Sequence, residues 1–171
     1  MVTDVVINAP AGDLAERNTL LAIADRERSG VAKAMGVAPP PIRVQFHADN
    51  DAFERASGQP WYALSALTGN QIELAPLWLL RERGMLERAL RRQIVHVIAD
   101  PVLPARPAWI REGASAYFAD PQAPSAARQP CPQDIELLRP LSQGALGEAL
   151  ARARACFERQ VTSGRDWRRV R

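Results

Sequence analysis

The chain is poor in the residues from which most metal and nucleophile sites are made. It has two histidines, His47 and His96, two cysteines, Cys131 and Cys156, and a single lysine, Lys33. Two cysteines cannot form a four-thiolate zinc site or a multi-bridge disulfide framework. No apolar run approaches the roughly 18 residues needed to cross a bilayer, so no membrane span is expected. The start "MVTDVVINAP" lacks a charged opening and a long apolar core, so no signal peptide is visible in this chain. An export signal removed earlier is compatible with that. With one lysine, the net charge of +3 rests on arginine. The arginines are scattered except in "RDWRRVR" (165–171) and read as solvated faces, because a nucleic-acid surface needs a concentrated stripe. No nucleic-acid partner is expected.

What is present describes a folded domain. Apolar residues make up 47% of 171 residues, enough for one real core and tight for two independent ones, so a single domain over 1–171 is expected. "DVVIN" (4–8) and the alternating "IRVQFHA" (42–48) read as strands. Between them lies a helix that Asp13 can cap, with Leu20, Ile23, Ala24, Val31 and Met35 on one face and "APPP" (38–41) as its stop. Asp49 or Asn50 caps a short helix to about Ser57. "WYALSALTGNQIELAP" (61–76) reads as a hairpin turning at Gly69-Asn70. Past Gly84 the period becomes 3.6, with Leu86, Leu90, Ile94, Val97 and Ile98 on the apolar side of a helix ending near Asp100. A further helix follows Pro107 over 108–120, then a loop over 121–130, then helices over about 133–139 and 142–163. Strands first and helices after indicate α+β, with helices packed on a small mixed sheet. Cys131 and Cys156 permit one pairing. A disulfide is the favoured reading, with a buried free thiol at Cys156 as the alternative, and it favours an extracytoplasmic location, periplasmic or secreted.

The chemistry concentrates in "RRQIVHVIAD" (91–100). Arg92 and His96 are four apart and share a helix face, and Gln93 lies about 100° round from Arg92. Sixteen residues after His96 comes Glu112, in "PAWIREGASAYFAD". Together these stretches resemble the gluzincin (peptidase MA-like) zinc metallopeptidases, whose hallmark is an HExxH helix followed by a second helix with W-[LI]-x-E-G-x-A-x-Y. The resemblance covers residues 60–120. It is specific in "PAWIREGASAYF" and degenerate in "RQIVH". It implies a zincin-like helical core, with a helical extension over 131–164. His96 then stands at the second histidine ligand and Glu112 at the glutamate ligand, while Arg92 replaces the first histidine and Gln93 the catalytic glutamate. "GNQIEL" corresponds to the edge strand before the motif helix, so Gln71, Ile72, Glu73 and Leu74, with Tyr117, are the implied substrate groove. An extended peptide or a protein is the implied partner.

Both departures bear on the chemistry. A guanidinium stays protonated and cannot coordinate a cation. A glutamine amide cannot take a proton from water. One histidine and one carboxylate fall short of the three protein ligands usual in catalytic zinc sites. His47 offers no replacement, since the strand reading leaves it an exposed alternate. Arg92 suits a bidentate pair with Glu112 where a zinc ion would otherwise sit. In the alternative arrangement Arg92 points to solvent and Glu112 merely caps its helix or pairs with Arg111 or Arg88. The reading is a non-catalytic metallopeptidase-like module that needs no cofactor, with a binding or structural role. The alternative is a divergent hydrolase holding zinc through His96, Glu112 and a further ligand. Ser65 and Ser115 have no histidine at a nucleophile's spacing, and Cys131 has no nearby base.

Overall fold

The alternation in "IRVQF" becomes the middle of a sheet. A computed structural model describes residues 3–123 and 128–171. It is α+β, with four strands in one mixed sheet and seven α-helices among the described residues. Positions 124–127 of the loop expected at 121–130 lie outside the described residues. The chain falls into two compact units, Met1–Val97 and Ile98–Arg171.

In the first unit the strands are β1 (Val5–Asn8), β2 (Ile42–Phe46), β3 (Ser65–Thr68) and β4 (Gln71–Leu74), in the order β1-β2-β4-β3. β1, β2 and β4 run parallel and β3 returns antiparallel on β4. Parallel neighbours need a crossover. α1 (Arg17–Met35) supplies the one from β1 to β2. Register aligns Val5 with Ile42, Val44 with both Ile7 and Ile72, and Phe46 with Leu74. All of these are buried, while Arg43 on the opposite face is exposed. A slip of one residue would exchange Ile42, Val44 and Phe46 for Arg43 and Gln45. Each buried Ile or Phe contributes about 1.5–3 kcal/mol, so the register is strongly specified.

Three local expectations need correction. Asp13 makes no cap: it lies in a 3-10 turn (Ala11–Glu16), and α1 begins after that turn without a side-chain cap. α1 also stops before the prolines, at Gly36, whose φ of 70° lets Val37 N–H reach back to the Ala32 carbonyl. The proline run is held instead by Arg28, a buried arginine of α1 that donates to the Pro39 and Pro40 carbonyls and to Asp25. The hairpin turns at Gly69-Asn70 as expected, but its first strand is shorter. Residues Trp61–Ala63 form a 3-10 turn closed by Leu64 at φ 65°. Asp49 does cap α2 (Asn50–Ser57), accepting from Ala52 N–H at 2.7 Å. An unforeseen α3 (Leu77–Glu82) precedes α4 (Leu86–Ala99).

The second unit packs α5 (Ala108–Ala119) on α7 (Gln143–Thr162), with the short α6 (Asp134–Leu138) against both. Small residues set the approach. A Cβ built on Gly113 would lie 2.5 Å from the Ala153 carbonyl oxygen and 2.8 Å from Phe157 Cβ. Ala108, Leu137, Ala149 and Ala153 form the buried cluster beside it. Pro107 gives α5 no side-chain cap, and the Asp134 carboxylate supplies one by accepting from Ala108 N–H at 2.8 Å. Cys131 and Cys156 are disulfide-bonded, which ties the segment before α6 to the buried face of α7.

Candidate functional site

α4 is less amphipathic than its spacing suggests. Leu86, Leu90 and Ile94 are buried as expected, joined by Ala89, Val95 and Ala99, whereas Val97 and Ile98 are only half-buried. Gln93 and His96 do not line an open polar face, being 5% and 7% exposed. A buried amide needs partners. The Gln93 Nε2 donates to Ser65 Oγ at 2.9 Å. Ser65 opens β3, directly after Leu64 in its left-handed conformation. For a residue with a Cβ that conformation costs about 1–2 kcal/mol. It persists because Leu64 is buried, donates its N–H to the Trp61 carbonyl and accepts from Ala75 N–H at 2.9 Å. The residue at the general-base position of the resemblance is therefore a strut that fixes the start of an outer strand. Ser65, considered above only as a nucleophile, lies 28 residues from Gln93, and no local sequence pattern signals their contact.

The implied groove strand also needs correction. β4 is not an edge: it is hydrogen-bonded to β2 on one side and β3 on the other, so Gln71–Leu74 has no open backbone to offer. The outermost strand on that side is β3, Ser65–Thr68. Ile72 and Leu74 are buried in the core, and Glu73 is 4% exposed. Both Glu73 oxygens are engaged, Oε1 by Gln71 Nε2 at 2.9 Å and Oε2 by His47 Nε2 at 2.6 Å. His47 is accordingly not an exposed alternate. It lies just past β2, half-buried, with its ring 6.1 Å from that of Phe53 in an edge-on arrangement. The parallel β2–β4 register sets Glu73 beside Gln45, two residues before His47, so one sheet face carries all three side chains.

The remaining motif residues sit as follows. Arg92 is half-buried on α4, and its neighbour Arg91 pairs with Glu27 of α1 at 3.1 Å. Glu112 is half-buried on α5. Tyr117 packs within the second unit, its ring 5.7 Å from Phe157 and 5.0 Å from Phe118, with the Arg154 guanidinium 5.8 Å from its centroid. Gly113, a letter of the resemblance, has its own packing reason at Ala153. Ser115 is wholly buried, and both cysteines are consumed by their bond.

The donor set does not fit the catalytic zinc that the resemblance implies. Arg92 is a permanent cation at the first ligand position, and the Gln93 amide is held by a hydroxyl. Among the described residues, no group of three His, Cys, Asp or Glu side chains is placed to hold a metal ion. Compared with protein-family models, with curated proteins and with solved structures, the chain finds no match.

Proposed function

We propose that the chain is a metallopeptidase-like module with a zincin-like core that carries out no hydrolysis and serves a binding or structural role. The observation that carries this reading is the buried Gln93–Ser65 hydrogen bond. A general base must reach the proton it abstracts and must be able to hold it. Gln93 does neither, being an amide already committed to a structural contact. Arg92 belongs to the same proposal, as the charge partner of Glu112 in place of a cation. The partner is an extended peptide or a protein segment, with β3 rather than β4 as the strand to which a peptide would add.

The Cys131–Cys156 bond supports an extracytoplasmic location, since such bonds persist in oxidising compartments. No helix among the described residues is long and apolar enough to cross a membrane. The testing experiment restores the missing chemistry. Arg92→His with Gln93→Glu should create zinc affinity if the helix is a vestigial zinc helix. An unchanged calorimetric trace would count against the resemblance.

A further inference from the structure

The basic stretch "RDWRRVR" is not a loose tail. Trp167 and Val170 are buried, three positions apart across a 3-10 turn (Trp167–Arg169), so they face the same way. Gln160 of α7 clamps the stretch. Its Oε1 accepts from Arg171 N–H at 3.1 Å and from Arg165 Nη1 at 2.8 Å, and its Nε2 donates to the Arg171 carbonyl. Arg106 also donates to the Val170 carbonyl. With the apolar residues turned inward, the arginines are left exposed on fixed backbone.

Those arginines converge. A pocket of about 590 Å³ is lined by Ser163, Gly164, Arg165, Asp166, Arg169 and Arg171. Its one side-chain carboxylate, Asp166, is bonded chiefly to Arg168. It accepts the Arg168 backbone N–H at 2.8 Å and the Arg168 Nη1 at 3.1 Å, and these bonds hold its carboxyl below the ordinary range. Arg165 is hydrogen-bonded to the neutral Gln160 amide, and Arg169 meets the Asp166 carboxylate only through space, without a hydrogen bond. Three arginine residues thus line one concave space that holds a single side-chain carboxylate, so positive charge is in excess there.

We propose that this pocket binds a phosphate-bearing anion, through Arg165, Arg169 and Arg171. Guanidinium forks match two oxygens of one phosphate, and a phosphate ester carries about −1.5 to −2, which offsets clustered arginines better than a single carboxylate. The volume lies within the range of small-ligand pockets, roughly 300–1,000 Å³, so a phosphorylated small molecule or a lipid headgroup fits. The basic groups are gathered in one pocket and do not form the long stripe that a nucleic-acid backbone needs.

The test titrates the full chain with inorganic pyrophosphate, following the arginine Nε–H signals by NMR, and separately measures its binding to phosphatidylglycerol and phosphatidylcholine vesicles. Saturable pyrophosphate binding, weakened about tenfold by Arg169→Gln and untouched by Arg55→Gln on α2, supports a soluble phosphorylated ligand. Binding confined to phosphatidylglycerol vesicles and lost in Arg169→Gln supports a headgroup. Shifts that never saturate, no binding of either probe, or equal weakening by Arg55→Gln would overturn the proposal.

Discussion

Gln93 and Ser65 hold one another: the amide of a buried helix residue donates to the hydroxyl that opens the outer strand, at 2.9 Å. Gln93→Leu keeps the volume but strands the Ser65 hydroxyl in a buried place. A loss of about 1–3 kcal/mol is predicted by urea denaturation. Adding Ser65→Ala should recover part of that loss, since removing both partners leaves no unsatisfied group. Strict additivity of the two changes would mean that the contact contributes nothing.

Gly113→Ala should destabilise the second unit. The new Cβ would meet the Ala153 carbonyl at 2.5 Å, so α5 and α7 must separate. Overpacking of this kind costs about 1–3 kcal/mol. Gly147→Ala on α7, where a Cβ meets nothing within 4 Å, is the control and should be neutral or mildly stabilising. Melting temperatures of the two variants measure the difference.

Reduction of Cys131–Cys156 should lower stability by about 3.5 kcal/mol, the chain-entropy figure for a loop of this size. The bond closes a separation of 25 residues that contains α6. Denaturation with and without reductant reads it directly. Cys131→Ser with Cys156→Ser should reproduce the reduced curve.

Acid should weaken the cap of α6. The Gln133 backbone N–H, and then Arg152, hold the Glu136 carboxyl below its ordinary value of 4.5. Its folded pKa is thus depressed, so near and below pH 4.5 the unfolded chain binds more protons than the folded one. The contribution is full above that value and is lost as pH falls through the folded pKa. Glu136→Gln should flatten the slope of stability against pH in that window. An unchanged slope would show that the carboxylate plays no part.

The sequence carried the local patterns well and the distant pairings poorly. The turn at Gly69-Asn70, the Asp49 cap and the helix beginning at Leu86 each follow from residues within one or two turns of one another. The strand read over 61–64 failed because Leu64 adopts a left-handed backbone that its side chain disfavours and only tertiary contacts hold. His47 looked exposed because its partner, Glu73, is brought beside it only by the parallel pairing of β2 with β4. Gln71–Leu74 looked like an edge for the same reason, since strand order is not written in any one strand. Gln93 could be read as a lost base from its letter, but not as a strut, because Ser65 is 28 residues away.

Arg92 and Glu112 offer a sharper test of the substitution idea. If the guanidinium stands in for a cation beside Glu112, Arg92→Ala and Glu112→Ala should be non-additive, with a coupling of about 0.5–3 kcal/mol in a double-mutant cycle. Simple additivity would leave each residue with its own separate partner.

The most direct measurement is a calorimetric titration of the metal-stripped protein with zinc, repeated on His96→Ala. The prediction is no stoichiometric binding in either protein. Binding of one zinc per chain that His96→Ala abolishes would contradict the central claim and restore the reading of a working metal site.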